Sequence, residues 1–324
     1  MKTEEKVLRI GTTAILLALV LRIFGTSLWN DLVKLKETAN IPSILLYAAT
    51  GKVFSPVYTD SPEETAPPEP TLPPDLPVFA PADGASISVK NYPEAKFDLT
   101  ALLQKPLAWQ LQSTEPTVLI FHSHACESYE NTEGYTPSAF YRTTDTRYNM
   151  VSVGTYLAQC LTENGIGVIH DTTLHDYPSY NDAYQRSRQT VVQYLEKYPS
   201  IQLVLDIHRD AYEDGNGNQA SNTLNLNGTK TAKLMFLTGS NAHGHDHPNW
   251  QDNLSVALKL QATLEKEYPG ICRNITLRSD SFNQELSAGF LLVEVGTAGD
   301  TRQSALAAAK CLADAIVILA NGSR

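Results

Sequence analysis

The sequence predicts an α/β fold with a mostly parallel sheet and helices on both of its faces. Two observations carry that expectation. Short, nearly unbroken apolar runs rich in β-formers recur at 117–122, 167–170, 201–208, 233–237, 275–277 and 290–295, the pattern of strands buried on both faces. Longer segments with helical periodicity lie between them, at 149–163, 181–198, 252–268 and 302–320, and strands alternating with helices of this length imply βαβ units. Leu254, Leu258, Leu260 and Leu264 form a partial apolar stripe in the third helix. Ala308, Leu312, Ala315 and Leu319 form a clearer one in the fourth. Residues 86–324 read as one α/β domain.

The residues before that domain have other jobs. An apolar stretch over 7–29 carries Arg9 and Arg22 near its ends, long enough to cross a bilayer with both arginines placed to snorkel. Lys2, Lys6 and Arg9 favour a cytoplasmic N-terminus. The segment after Leu21 offers no small-x-small cleavage site, so an uncleaved signal anchor (1–29) is expected, with the body of the protein extracytoplasmic. Residues 30–55 have scattered helical periodicity and read as a juxtamembrane segment. Half of the eighteen prolines fall between Pro56 and Pro81, among Asp60, Glu63, Glu64, Glu69 and Asp75. Residues 56–85 are therefore read as an acidic, extended spacer, at about 3 Å per residue.

Composition narrows the function. A chain with 42% hydrophobic and 19% charged residues is globular in its main part. A net charge of −10 argues against general nucleic-acid binding, because little would neutralise phosphates. Cys126, Cys160, Cys272 and Cys311 form no C-x-x-C pair and are too few for a disulfide framework.

Chemistry gathers at three strand ends. The stretch V-L-I-F-H-S-H-A-C-E-S-Y runs a buried strand into two histidines, with Glu127 three residues after His124. A His-x-x-Glu turn at the C-terminal edge of a sheet can aim an imidazole and a carboxylate at one point, half of a catalytic zinc site. His122 is the alternative ligand if the strand continues, since period-2 alternation would give it the face of His124; His124 is preferred because it opens the turn. The stretch I-Q-L-V-L-D-I-H-R-D repeats the grammar and supplies His208 as third ligand. Asp206 or Asp210 is placed to orient its imidazole, and Arg209 is suited to a substrate carboxylate or a polarised carbonyl. Finally, F-L-L-V-E-V-G buries Glu294 near the end of an apolar strand, a costly position unless the carboxylate is paired or working. Beside a bound metal, Glu294 is a general base for water.

The stretches F-H-S-H-A-C-E-S-Y, Y-R-T-T-D, H-D-Y-P-S-Y-N-D-A-Y-Q-R-S-R, D-I-H-R-D-A, H-P-N-W-Q-D-N, F-N-Q-E-L-S and L-L-V-E-V-G resemble the stage II sporulation protein P family over residues 107–320. The resemblance implies a zinc-dependent peptidoglycan hydrolase of spore-forming bacteria, similar in fold to N-acetylmuramoyl-L-alanine amidases and to zinc carboxypeptidases. It implies cleavage of the muramoyl-L-alanine amide and of stem-peptide cross-links, and work with the sporulation proteins D and M at the septum. Carried over by position, His124, Glu127 and His208 match zinc ligands and Glu294 the catalytic glutamate. T-A-G-D-T-R-Q after Glu294 departs from the family's usual G-N-T-x-x-E-A. Arg142, His247, Trp250, Asn253, Asn283 and Gln284 are the expected substrate contacts. His243, Gly244 and His245 read as a solvated loop rather than a second metal site. Two rival readings remain: a zinc carboxypeptidase-like hydrolase of another polymer, and a catalytically silent wall-binding scaffold.

Overall fold

A computed structural model describes residues 87–322, apart from 131–133, 139, 215, 217 and 245. The expected anchor, juxtamembrane segment and proline-rich spacer lie outside the described residues. Within them the strands are β1 (Val89–Asn91), β2 (Val118–Phe121), β3 (Val168–His170), β4 (Leu203–Asp210), β5 (Thr223–Leu226), β6 (Thr229–Ala232), β7 (Leu234–Thr238), β8 (Ile275–Leu277) and β9 (Phe290–Thr297). The helices are α1 (Leu99–Gln104), α2 (Met150–Glu163), α3 (Ala183–Lys197), α4 (Trp250–Glu267) and α5 (Arg302–Asn321).

Seven strands make one sheet, in the order β1-β8-β7-β9-β4-β2-β3. Every neighbouring pair is parallel except β7 with β9. The sheet is thus mixed and mostly parallel, with one antiparallel seam. Strands β9, β4 and β2 are adjacent and point the same way, so their C-terminal ends share one edge. That is the edge on which the three polar stretches fall.

The alternation within each strand explains the two helical layers. Val118 and Ile120 of β2 pack into a core with Leu205, Ile207, Leu291, Val293 and the buried faces of α2, α4 and α5. Leu119 and Phe121 point to the other face, where Val204 and Phe290 meet Val191 of α3. Helix α5 is long and apolar enough to cross a membrane, with a mean hydropathy of 1.6. Its Ala305, Ala308, Leu312, Ala315, Ile316 and Leu319 are nevertheless buried in the core. It is a core helix, started by a capping box in which Thr301 and Ser304 satisfy each other's backbone amides.

Strand β1, helix α1 and the β5–β6 hairpin have no counterpart in the elements expected from sequence. The hairpin turns on Asn227 and Gly228, both at positive φ (51° and 88°), the backbone that Asn-Gly supplies most cheaply in a two-residue turn.

Candidate metal centre

Strand β2 ends at Phe121, and the chain then folds into a tight turn in which Glu127 N–H donates to His124 O at 3.2 Å. The turn is fastened at its far side, where Ser128 N–H donates to Tyr141 O at 2.8 Å. It carries His124 and Glu127 over the edge of the sheet. On the neighbouring strand, the pairing of β4 with β9 shifts register between His208 and Asp210. Such an irregularity re-aims side chains at a strand end.

These elements bring three donors together. One ligand atom each from His124, Glu127 and His208 lies within 4.8 Å of the others. His124 Nδ1 is 3.4 Å from Glu127 Oε1, and His208 Nδ1 is 3.5 Å from Glu127 Oε2. Bonds of about 2.1 Å to a tetrahedral zinc ion would set donors roughly 3.4 Å apart, so the spacing fits a metal. The outer contacts fit as well. Asp206 Oδ1 stands 2.8 Å from His208 Nε2, at ion-pair distance but off the line of a hydrogen bond. Asp206 is fixed in turn by Ser123, whose backbone N–H donates at 2.8 Å and whose hydroxyl donates at 2.6 Å. An acidic partner on the far nitrogen of a histidine is what orients a ligand imidazole.

Charge in the cluster follows from burial and neighbours. Burial alone would raise the Glu127 carboxyl, but Arg209 and the two imidazoles hold it well below the usual range. Burial would lower His208, but Asp206 and Glu127 outweigh it and raise it well above an ordinary histidine. Glu294 behaves differently. It pairs in register with His208, burial pushes its carboxyl up to about 8, and its Oε2 is buried without a hydrogen-bond partner. Near neutral pH this carboxyl keeps its proton in the metal-free fold; the positive charge of a metal held by the three donors would favour its ionised form, and a carboxylate there with a free oxygen is equipped to take a proton.

His122 is placed elsewhere. The strand stops before it, so alternation no longer governs where it points. Its Nδ1 lies 2.9 Å from Ile207 O and its Nε2 lies 2.9 Å from His170 Nε2. Burial, with His170 beside it, lowers it to about 3. It braces the turn from behind, and the donor cluster contains His124 instead.

Arg209 works more as a brace than the sequence suggests. Its backbone N–H donates to Glu127 Oε2 at 3.2 Å, its Nε to Ser128 O and its Nη2 to Tyr141 O, each at 3.1 Å. Its remaining surface lines a groove with Tyr141, Glu213, Gln219 and Ala298. Arg142 pairs with the buried Asp176 and lies over the ring of Tyr180, 4.8 Å from its centroid.

The other expected substrate contacts are not gathered at the cluster. Asn253 Oδ1 accepts from Gly289 and Phe290 N–H (2.7 and 3.1 Å), and its Nδ2 donates to Gln284 O at 2.9 Å and lies 3.2 Å from His247 Nε2. Gln284 clasps the end of β7 through Gly239 N–H and Leu237 O. Trp250 is buried edge-on to Phe97. This network ties α4 to the start of β9, four residues or about 13 Å along the strand from Glu294. His247, Trp250, Asn253 and Gln284 thus lie in a buried network away from the three donors. Asn283 is nearer, donating to Tyr184 O at 2.9 Å in the first turn of α3.

The sequence missed two tyrosines on the 176–184 segment. Tyr180 stacks on His124 (centroids 4.4 Å apart, 30° between planes), and its hydroxyl lies 3.5 Å from His124 Nδ1. Tyr184 lies edge-on to His124 at 5.2 Å and nearly parallel to His208 at 6.4 Å. Both stand in the motif H-D-Y-P-S-Y-N-D-A-Y, but Tyr180 lies in the loop before α3 and Tyr184 in its first turn, where periodicity shows nothing of which distant side chains the rings meet.

The stage II sporulation protein P of Bacillus subtilis (strain 168) is 26% identical over 223 residues, 65% of this chain and 53% of that protein. The chain thus spans about half the length of that relative. Among solved structures it is similar to an N-acetylmuramoyl-L-alanine amidase from Clostridium difficile 630, with a TM-score of 0.39 and 18% identity over 65% of this chain and 100% of that one. It is also similar to the amidase AmiC2 of Nostoc punctiforme, with a TM-score of 0.38 and 14% identity over 64% and 97% of the two chains. The family model of stage II sporulation protein P (SpoIIP) matches residues 61–317, which takes in the whole donor cluster: the chain belongs to the stage II sporulation protein P family.

Proposed function

We propose that this protein is a zinc-dependent peptidoglycan hydrolase, cutting the N-acetylmuramoyl-L-alanine amide and stem-peptide cross-links. The reading includes an N-terminal membrane anchor, an extracytoplasmic catalytic domain, and work with the sporulation proteins D and M in septal thinning and engulfment. The observation that carries it is the meeting of His124, Glu127 and His208 beside Glu294 in a chain of this family.

His124, Glu127 and His208 would hold the metal, which supplies a Lewis acid and makes water more acidic. The protein's own residues do the rest. Asp206 sets the His208 ring, and Arg209 keeps Glu127 ionised. Glu294 takes a proton from the attacking water as its oxygen bonds to the amide carbon. It then returns that proton to the leaving nitrogen as the carbon–nitrogen bond breaks, so the base is regenerated.

The test is release of stem peptides from purified sacculi by the full chain. Release should stop with a chelator and return with zinc. Glu294→Gln should retain zinc and lose on the order of 10²–10⁴ in rate. A Glu294→Gln protein of undiminished rate would remove the base from this scheme.

A further inference from the structure

We propose that Tyr180 is a catalytic residue, its hydroxyl donating a hydrogen bond to the oxygen of the scissile carbonyl as negative charge develops there. The inference rests on the hydrolase reading above. Neither the family match nor the sequence pattern assigns this residue a role.

Its position carries the argument. The Tyr180 hydroxyl lies 3.5 Å from His124 Nδ1, the same nitrogen that faces Glu127 Oε1 at 3.4 Å. It therefore stands within hydrogen-bond reach of one of the three donors. Tyr180 is also 55% exposed, so it lies at the protein surface beside the cluster rather than in the core. A donor so placed meets whichever atom of the substrate is drawn to the cluster, and in amide hydrolysis that atom is the carbonyl oxygen. Glu294 lies on strand β9, and Tyr180 on the segment leading into α3. The base and the proposed hydrogen-bond donor thus come from different elements and do not compete for one role.

The ring is held before substrate arrives. His124 stacks on Tyr180 at 4.4 Å, and the Arg142 guanidinium lies 4.8 Å from the centroid of the same ring. Arg142 is fixed by Asp176, whose side chain is fully buried and also accepts the Cys126 N–H at 3.1 Å. The donor is thus buttressed from the metal turn itself, so its orientation need not be established during the reaction. This gives Arg142 a positioning role. Tyr180 makes and breaks no covalent bond; electrons move from the carbonyl π bond to its oxygen and back, and Tyr180 stabilises that oxygen only while it is charged.

The experiment compares full-length Tyr180→Phe with the parent chain, both zinc-loaded. The substitution keeps the stacked ring and removes only the hydroxyl. Expected are a fall in kcat on sacculi of about 10²-fold, as for loss of one oxyanion donor, with KM changed less than about twofold. Zinc affinity, read by chelator competition, should stay the same. A phosphonamidate mimic of the tetrahedral muramoyl-alanine amide should bind about 10²-fold more weakly to Tyr180→Phe. Unchanged kcat and unchanged binding of the mimic overturn the proposal, as does a loss of zinc affinity large enough to account for the whole effect. If the parent chain itself shows no zinc-dependent cleavage, the hydrolase reading fails instead; binding of the mimic then still reports whether the hydroxyl faces an oxyanion.

Discussion

At the scale of single residues, Glu294 shows how a buried carboxyl destabilises the fold that holds it. An ordinary glutamate in the unfolded chain titrates near 4.5, whereas burial raises this one to about 8 in the metal-free fold. Between those values the folded state binds a proton that the unfolded state does not. Stability of the metal-free protein must therefore fall as pH rises from 4.5 to 8. Glu294→Gln removes that slope. In excess chelator the variant should be more stable than the parent at pH 8, by up to about 4 kcal/mol over the span from 4.5 to 8 at 1.36 kcal/mol per pH unit, and the gap should close toward pH 4.5. Thermal melts of both proteins across that range check the sign, and a pH-independent gap would contradict it. Asp206 makes the complementary case: Asp206→Asn should keep the fold and weaken zinc binding about 10–100-fold, because the outer carboxylate sets the ligand ring. These residues were legible because each stands at the end of an apolar run, where a polar side chain has no bland reason to be. Tyr180, Asp176 and His170 were not, since their partners lie in other segments and nothing in local spacing pairs them. The choice between His122 and His124 turned on where β2 stops. A strand end is the least certain thing a pattern shows.

At the scale of elements, alternating strands and helices sufficed to reach a mostly parallel sheet with two helical layers. They did not reveal the antiparallel seam between β7 and β9, because an apolar run has no direction written in it. The Asn227-Gly228 turn could have been read from its dipeptide, yet its flanking strands are short and only partly buried, so the apolar signal there is weak. Helix α2 offers a sharper test of how elements support the site. Gly154 faces the paired imidazoles behind the metal turn, and a Cβ there would meet His122 Nε2 and His170 Nε2 at 2.6 Å. In an exposed helix Gly→Ala stabilises by about 1 kcal/mol. Here the sign should reverse: Gly154→Ala must push the buried His122 ring and the half-buried His170 ring aside, costing about 1–3 kcal/mol as overpacking does. It should also weaken zinc binding, because His122 leans on the Ile207 carbonyl next to His208. Chemical denaturation and chelator competition on the one variant read both effects, and a stabilised variant with normal zinc affinity would show that the rings are free to move.

At the scale of the whole molecule, the donors come from distant parts of the chain, and this couples metal binding to folding. His124 and Glu127 lie on the turn after β2, and His208 near the end of β4, with all of α2, β3 and α3 between them. The unfolded chain cannot hold three such donors in one place, so zinc held as proposed would bind the native state and stabilise it by mass action. At a zinc concentration of about 100 Kd this amounts to roughly 2.7 kcal/mol, or about 5–10 °C in Tm for a domain of this size. The pH dependence follows from His208. Asp206 and Glu127 hold it protonated well above the ordinary histidine range in the metal-free fold, and a protonated imidazole cannot be a ligand. Zinc must displace that proton, so its stabilising effect should grow as pH rises and be smaller at pH 6 than at pH 8. Melting curves of the full chain with and without zinc at both pH values test this, with His208→Ala as the reference. The variant should show no zinc-induced shift at either pH. An equal shift in parent and variant would mean that zinc binds at another place, and the cluster at the edge of β9, β4 and β2 would lose its standing as the metal centre.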